Sequence, residues 1–188
     1  MNRMPNWLIA VFVVMVFALL SVGWWFYRSQ EQQVRAETEE NLLAISNLKV
    51  AQIAKWRSER IDDANEIRDR RFTHDVIMPW LVNPRDEVSE SILSWFRSLQ
   101  KHCKYRDVTL VNADALPRLS LSGRTTLVDS GAVDAVGTAL REQRCVLTDL
   151  HIESSRLDPH LDVIVPLFLR TEATPEPVGA IILQIDAR

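Results

Sequence analysis

An uncharged, apolar run from Trp7 to Tyr27 constrains this chain more than any other feature. About 20 helical residues, each rising about 1.5 Å, match a hydrocarbon layer about 30 Å thick, so the run is long enough to cross a membrane. Trp7 at one end and Trp24, Trp25 and Tyr27 at the other stand where amphipathic rings favour the headgroup level. Arg3 and Arg28 close the two ends. A buried core helix of this length would show a polar face, and this one shows none. A cleaved signal peptide has a shorter apolar stretch followed by a small-residue site, whereas this run exits through Trp24-Trp25-Phe26-Tyr27-Arg28. The expectation is an uncleaved transmembrane signal anchor over residues 1–28, with a domain tethered to the bilayer behind it.

The chain has 188 residues, so enough remains beyond the anchor for one domain with a proper core. Its net charge of −3 argues against nucleic acid as a partner, because a phosphate-binding surface concentrates positive charge. Here the basic residues alternate with acids, as in Arg57-Ser-Glu59-Arg60 and Arg68-Asp69-Arg70-Arg71. Arg3 and Arg28 lie on opposite sides of the span, so charge alone leaves its orientation open. Cys103 and Cys145 are either a disulfide in an oxidising compartment or two buried thiols.

From Ser29 to Arg71 there is neither Pro nor Gly, which predicts one long helix over 29–71. Two apolar stripes run along it. Leu42, Ile45, Ile53, Trp56, Ala64 and Ile67 would face the domain's own sheet. Leu43, Val50, Ala54 and Ile61 follow a heptad seam, the pattern of a twin helix in a homodimer. Pro79 is expected to close the long helix, and a second helix to start with Asn83 as N-cap and Pro84 at its first position. Its face is Val88, Ile92, Trp95, Phe96 and Leu99. Strands are then predicted at 108–111 and 118–122, a helix over 131–143, and strands at 145–152, 161–169 and 178–185. Consecutive strands on short loops favour an antiparallel sheet with helices on its faces, an α+β domain over 72–188.

This order resembles the extracytoplasmic Cache modules, PAS-like sheets carried on a long membrane-proximal helix in bacterial sensor histidine kinases and diguanylate cyclases. The stretches behind the resemblance are 41–64, 103–112, 147–151, 161–167 and 177–186. It implies the ligand-sensing region of a two-component or related signalling receptor in the bacterial inner membrane, its domain facing the periplasm and its signal carried by the long helix. It also implies no enzyme activity in this stretch, any kinase or cyclase lying beyond residue 188, and no cofactor. One departure is the turn after the first strand, Asn112-Ala-Asp-Ala115, which has no Gly, so Asn112 or Asp114 is expected to take any left-handed conformation. Another is that the chain reaches Arg188 with no second span, as the front of a longer receptor or a truncated product would. The rival reading is a single-span scaffold of a pilus or secretion machine, with no small-molecule ligand.

No catalytic signature is present: there is no G-x-S-x-G, H-E-x-x-H, P-loop or C-x-x-C. His74, His102, His151 and His160 lack ligand spacing, so buried thiols and half-exposed imidazoles are favoured over a metal set of His102, Cys103, Cys145 and His151. Alternation along 145–152 predicts Asp149 and His151 on one sheet face, able to bond a small polar ligand. Arg118 and Ser120 share a face of the preceding strand, where they suit a carboxylate. Trp95, Tyr105 and Arg106 fall in the segment that covers the pocket in the resembling family. These seven residues are the candidate small-molecule site.

Overall fold

The computed structural model describes residues 6–123, 130–152, 159–169 and 175–186. The chain divides into two compact units, Met1–Ala54 and Lys55–Arg188. Helix α1 spans Asn6–Asp69 and crosses the boundary between them. In the first unit Val11–Arg28 is a helical stretch long and apolar enough to cross a membrane. Leu42, Leu43, Ile45, Val50 and Ile53 are all more than half exposed. Three of the seam residues, Leu43, Val50 and Ala54, thus stand open along this part of α1.

In the second unit α1 turns its apolar stripe inward: Ala64 and Ile67 are buried, and Trp56 and Ile61 pack at the core's edge. The helix ends at Asp69, not at Pro79. The buried Thr73 hydroxyl donates to the Ile67 carbonyl at 2.6 Å, satisfying one of the orphan acceptors at the C-terminus of α1. A π-helical turn follows over Thr73–Ile77, then a short α2, Met78–Val82, with Pro79 in its first turn. A proline there needs no backbone donor, so it opens α2 and does not terminate α1. Helix α3 spans Asp86–Cys103 with Arg85 at the N-cap, and Asn83 instead ends α2. Asp86 and Glu87 sit in the first turn of α3, where the helix dipole favours negative charge. Lys104, with φ 57°, turns the chain out of α3 into the sheet.

The sheet contains β1 (Tyr105–Asn112), β2 (Pro117–Ser120), β3 (Val146–Leu147), β4 (His151–Ile152), β5 (Pro159–Leu169) and β6 (Glu176–Asp186). All pairings are antiparallel, in the order β2-β1-β6-β5-β3, with β4 also on β5. Helix α4, Ser130–Glu142, connects β2 to β3. The central strands read as continuous apolar runs, Val163 to Leu167 and Ala180 to Leu183, because both their faces are covered. On one face Val108, Leu110, Val163, Val165, Leu167, Ile181 and Leu183 meet α1, α2 and α3. On the other Val111, Ile164, Ala180 and Ile182 meet Val136 and Ala139 of α4. Full burial of each large aliphatic side chain contributes about 1.5–3 kcal/mol, so the two-sided core dominates the stability of this unit. Pro166 is accommodated because β3 covers β5 only at Val163 and Ile164, leaving β5 an edge from Val165 onward.

Two local expectations are corrected. In the turn after β1 the left-handed residue is Ala115, φ 59°, and neither Asn112 nor Asp114. Asn112 stays at the strand end because its Oδ1 accepts from the amides of Asp114 (3.1 Å) and Leu116 (2.8 Å). The strand expected over 145–152 is broken into β3 and β4. Leu147 pairs with Val163, the Thr148 amide donates to the Asp162 carbonyl, and His151 then pairs with His160. Between Thr148 and His151 the β3–β4 segment therefore holds one residue more than β5 does. A one-residue insertion of this kind moves every later side chain to the opposite face.

Candidate functional site

The register assembles a polar floor on the α4 face of the sheet. Directly paired residues share a face, so each register row can be read across the strands. Thr109, Ile182, Ile164 and Val146 form the last row beneath the apolar contacts of α4. The next row is Asp107, Gln184 and Asp162, continued by Thr148. Beyond it lie Asp186, His160 and His151. Asp162 and His160 are each only 3 % exposed. Buried polar groups at this density are uncommon in a sheet and demand partners.

At one end of the floor Asp107 gathers the β1–β2 edge. Its Oδ2 accepts the Ser122 hydroxyl at 2.5 Å and the Ser120 hydroxyl at 3.4 Å, and its Oδ1 accepts the Ser122 amide at 3.2 Å and the Val108 amide at 2.8 Å. Thr109 adds its hydroxyl to Ser120 at 3.4 Å. At the other end the Thr148 hydroxyl accepts the Asp162 amide at 2.8 Å, while the Thr148 amide donates to the Asp162 carbonyl at 2.9 Å. His151 lies against this anchored strand. Its Nδ1 is 3.0 Å from the Asp149 carbonyl, its Nε2 is 3.3 Å from Asp162 Oδ2, and its ring centroid is 4.3 Å from that of His160.

Of the seven candidate residues, Ser120 and His151 lie on this floor, whereas Arg118 is exposed at a bulge of β2, where the register passes from Leu119 to Pro117. Arg106 sits at the bulge between Tyr105 and Asp107, where its carbonyl accepts the Gln100 side-chain amide at 2.9 Å. Tyr105 and Trp95 lie with the helices on the opposite face. Tyr105 is 2 % exposed, and burial pushes its phenol up to about 12. Trp95 stacks between Phe72, at 5.3 Å, and Phe96, at 5.8 Å. The inserted residue separates Asp149 from His151: the Asp149 side chain is exposed and reaches Arg57 of α1 at 3.6 Å. Asp107, His160, Asp162 and Gln184 were not singled out by residue pattern. The His160-x-Asp162 spacing on a strand was the available signal, since alternate residues share a face.

A concavity of about 220 Å³ lies on the helix side among Asp75, Pro79, Trp80, Arg85 and Val88. The Trp80 indole N–H donates to the Arg85 carbonyl at 3.0 Å, and Asp75 pairs with Arg71 at 3.0 Å. The Trp80 indole and the Asp75 carboxylate are thus engaged with the protein itself. Both cysteines are free thiols, Cys145 buried and Cys103 half-buried.

No known family profile matches the chain, nor does any curated protein. Several solved structures do. The ligand-binding domain of the Pseudomonas aeruginosa amino-acid chemoreceptor PctC in complex with GABA superposes with a TM-score of 0.52 at 16 % identity, covering 80 % of this chain and 62 % of that one. The ligand-binding domain of the Pseudomonas fluorescens chemoreceptor CtaA in complex with L-serine matches at a TM-score of 0.37 and 14 % identity, over 69 % of this chain and 60 % of that one. The chain spans 55–62 % of the length of such structures. The PctC likeness is one of fold: this chain shares the α+β architecture of that ligand-binding domain, helices packed on an antiparallel sheet.

Proposed function

We propose that the chain is the ligand-sensing region of a bacterial transmembrane receptor, anchored by residues 1–28 and folded on the periplasmic side. The single observation that supports this most is the polar floor: Asp107, Gln184, Asp162, His160 and Asp186 brought onto one face of a PAS-like sheet. Its carboxylates outnumber its cations, which suits a ligand bearing an ammonium group. Arg118, exposed at the bulge of the neighbouring β2 edge, is the nearest candidate in sequence for a carboxylate on that ligand. A small amine or zwitterion, such as an amino acid, is the class this chemistry selects. The domain from residue 72 onward binds, and the helix from 29 to 71 carries the response and pairs with its copy through Leu43, Val50 and Ala54, Ile61 being taken up by the domain's own core. A ligand shifts such an equilibrium only through its differential affinity for the two states, so the floor must change when filled. Catalysis has no part in this reading; the output belongs to an effector beyond this stretch.

The test is calorimetric titration of the full chain in lipid nanodiscs with a panel of amino acids and small amines. Saturable binding of at least one of them is expected, weakened at least about tenfold by Gln184→Leu or Asp107→Asn, the loss of one charge-assisted or buried hydrogen bond. Absence of saturation across the panel would favour the scaffold reading.

A further inference from the structure

We propose that His151, His160 and Asp162 form a binding site for a divalent transition-metal ion of the zinc class. One ligand atom from each residue lies within 4.8 Å of the other two. Ligand bonds of 2.0–2.2 Å in a tetrahedral site hold donor atoms about 3.3 Å apart. His151 Nε2 and Asp162 Oδ2 already stand at 3.3 Å.

The protonation pattern says what belongs between them. A backbone carbonyl can only accept, so the 3.0 Å contact from Asp149 O places the imidazole proton of His151 on Nδ1. Nε2 is then the ring atom left facing the Asp162 carboxylate oxygen, at 3.3 Å. Nε2 is buried and makes no hydrogen bond. An imidazole nitrogen and a carboxylate oxygen this close in a buried site are both electron-pair donors toward a cation placed between them. A carbonyl fixing the far nitrogen of a histidine is also the outer-shell arrangement that orients metal-binding imidazoles. Asp162 is held on the other side by its two bonds to Thr148.

The donor set chooses the metal. Two imidazoles with one carboxylate suit zinc, cobalt, nickel or ferrous iron, whereas calcium and magnesium prefer all-oxygen sites. Three protein donors leave a fourth position for water or a bound molecule. The site does not depend on the sensing reading, since a structural ion tying β4 to β5 uses the same atoms.

The experiment uses the full, untagged chain in nanodiscs, stripped with chelator and titrated with Zn²⁺ by calorimetry and with Co²⁺ by visible absorption. One equivalent is expected, with cobalt d–d bands of a low-coordinate nitrogen–oxygen site. His160→Ala and His151→Gln each weaken binding at least about tenfold, while His102→Ala, on the exposed face of α3, leaves it unchanged. If His160→Ala fails to fold by circular dichroism, the half-exposed His151→Gln decides alone. No saturable binding would overturn the proposal and leave a proton as the cation between His151 and Asp162. Binding that survives both site variants would equally overturn it.

Discussion

Gly179 of β6 runs so close to the carbonyl oxygen of Val111 in β1 that a Cβ on it would fall far inside contact distance. The same Cβ would stand 3.1 Å from the Asn112 Cα and 3.2 Å from Leu81 Cδ1. The obstacle is backbone, which cannot rotate aside, and it lies at the pairing that joins the β1–β2 edge to the centre of the sheet. Gly179→Ala is therefore expected to destabilise the domain by about 3 kcal/mol, the upper range for overpacking. Urea unfolding of the full chain in nanodiscs, followed by the fluorescence of Trp80 and Trp95, measures it. A change below about 1 kcal/mol would mean that β1 and β6 separate more easily than this register allows.

Asp107 is expected to act as the clasp of the β1–β2 edge. It receives the hydroxyl and the amide of Ser122, which follows β2, so a single carboxylate closes the open end of the β1–β2 hairpin. Asp107→Ala removes these acceptors and should cost about 2 kcal/mol, since hydrogen bonds to a charged group contribute roughly 1.5–3 kcal/mol. The loss should be local. Hydrogen exchange is expected to accelerate at the amides of Leu121 and Ser122 well before those of β5 and β6.

Element order and the antiparallel sheet were legible because β5 and β6 are long and apolar, and because Ile92, Phe96 and Leu99 keep helical spacing along α3. The polar floor was far less legible. Asp107, Asp162 and Gln184 occur singly in otherwise apolar strands, and only the pairing across β1, β6 and β5 turns them into a row. The inserted residue before His151 has no sequence signature of its own, because a shift by one is invisible in a strand of two residues. The helix boundary at Asp69 was hidden for a different reason. Its end is capped by a local bond from the Thr73 hydroxyl back to the Ile67 carbonyl, while Pro79 is the conspicuous but later residue. Ala115 in a left-handed turn is likewise set by the bonds Asn112 makes around it, against the residue's own preference.

Cys145 makes stability depend on pH in the alkaline range. Burial pushes its thiol up from 9.0 to about 11, with the nearby Arg68 acting weakly in the opposite sense. In the unfolded chain the thiol ionises at its ordinary value, so between about pH 9 and 11 unfolding releases a proton and becomes easier. Stability is then complete below pH 9 and falls as pH rises toward 11, by up to about 2 kcal/mol. Urea midpoints at pH 8 and pH 10.5 are expected to differ, and Cys145→Ala should narrow the gap. The buried thiol should also resist iodoacetamide at pH 8 in the native chain and react once urea is added.

Tyr105 separates a core role from a ligand role for one of the candidate residues. Its ring is buried with the helices, and its hydroxyl finds no hydrogen-bond partner among the described residues. A hydroxyl left dry and unpaired costs about 1–3 kcal/mol, whereas the ring around it packs as a large apolar side chain. Tyr105→Phe removes the unpaired group and keeps the ring, so it is expected to raise stability by about 1 kcal/mol. It should also leave the affinity for any bound amine or zwitterion within about twofold, because the floor lies on the other side of the sheet. Unfolding and titration of the same preparation test both halves. If Tyr105→Phe destabilised the protein and abolished ligand binding together, the hydroxyl would have to reach the ligand through a route that its place among the helices denies it.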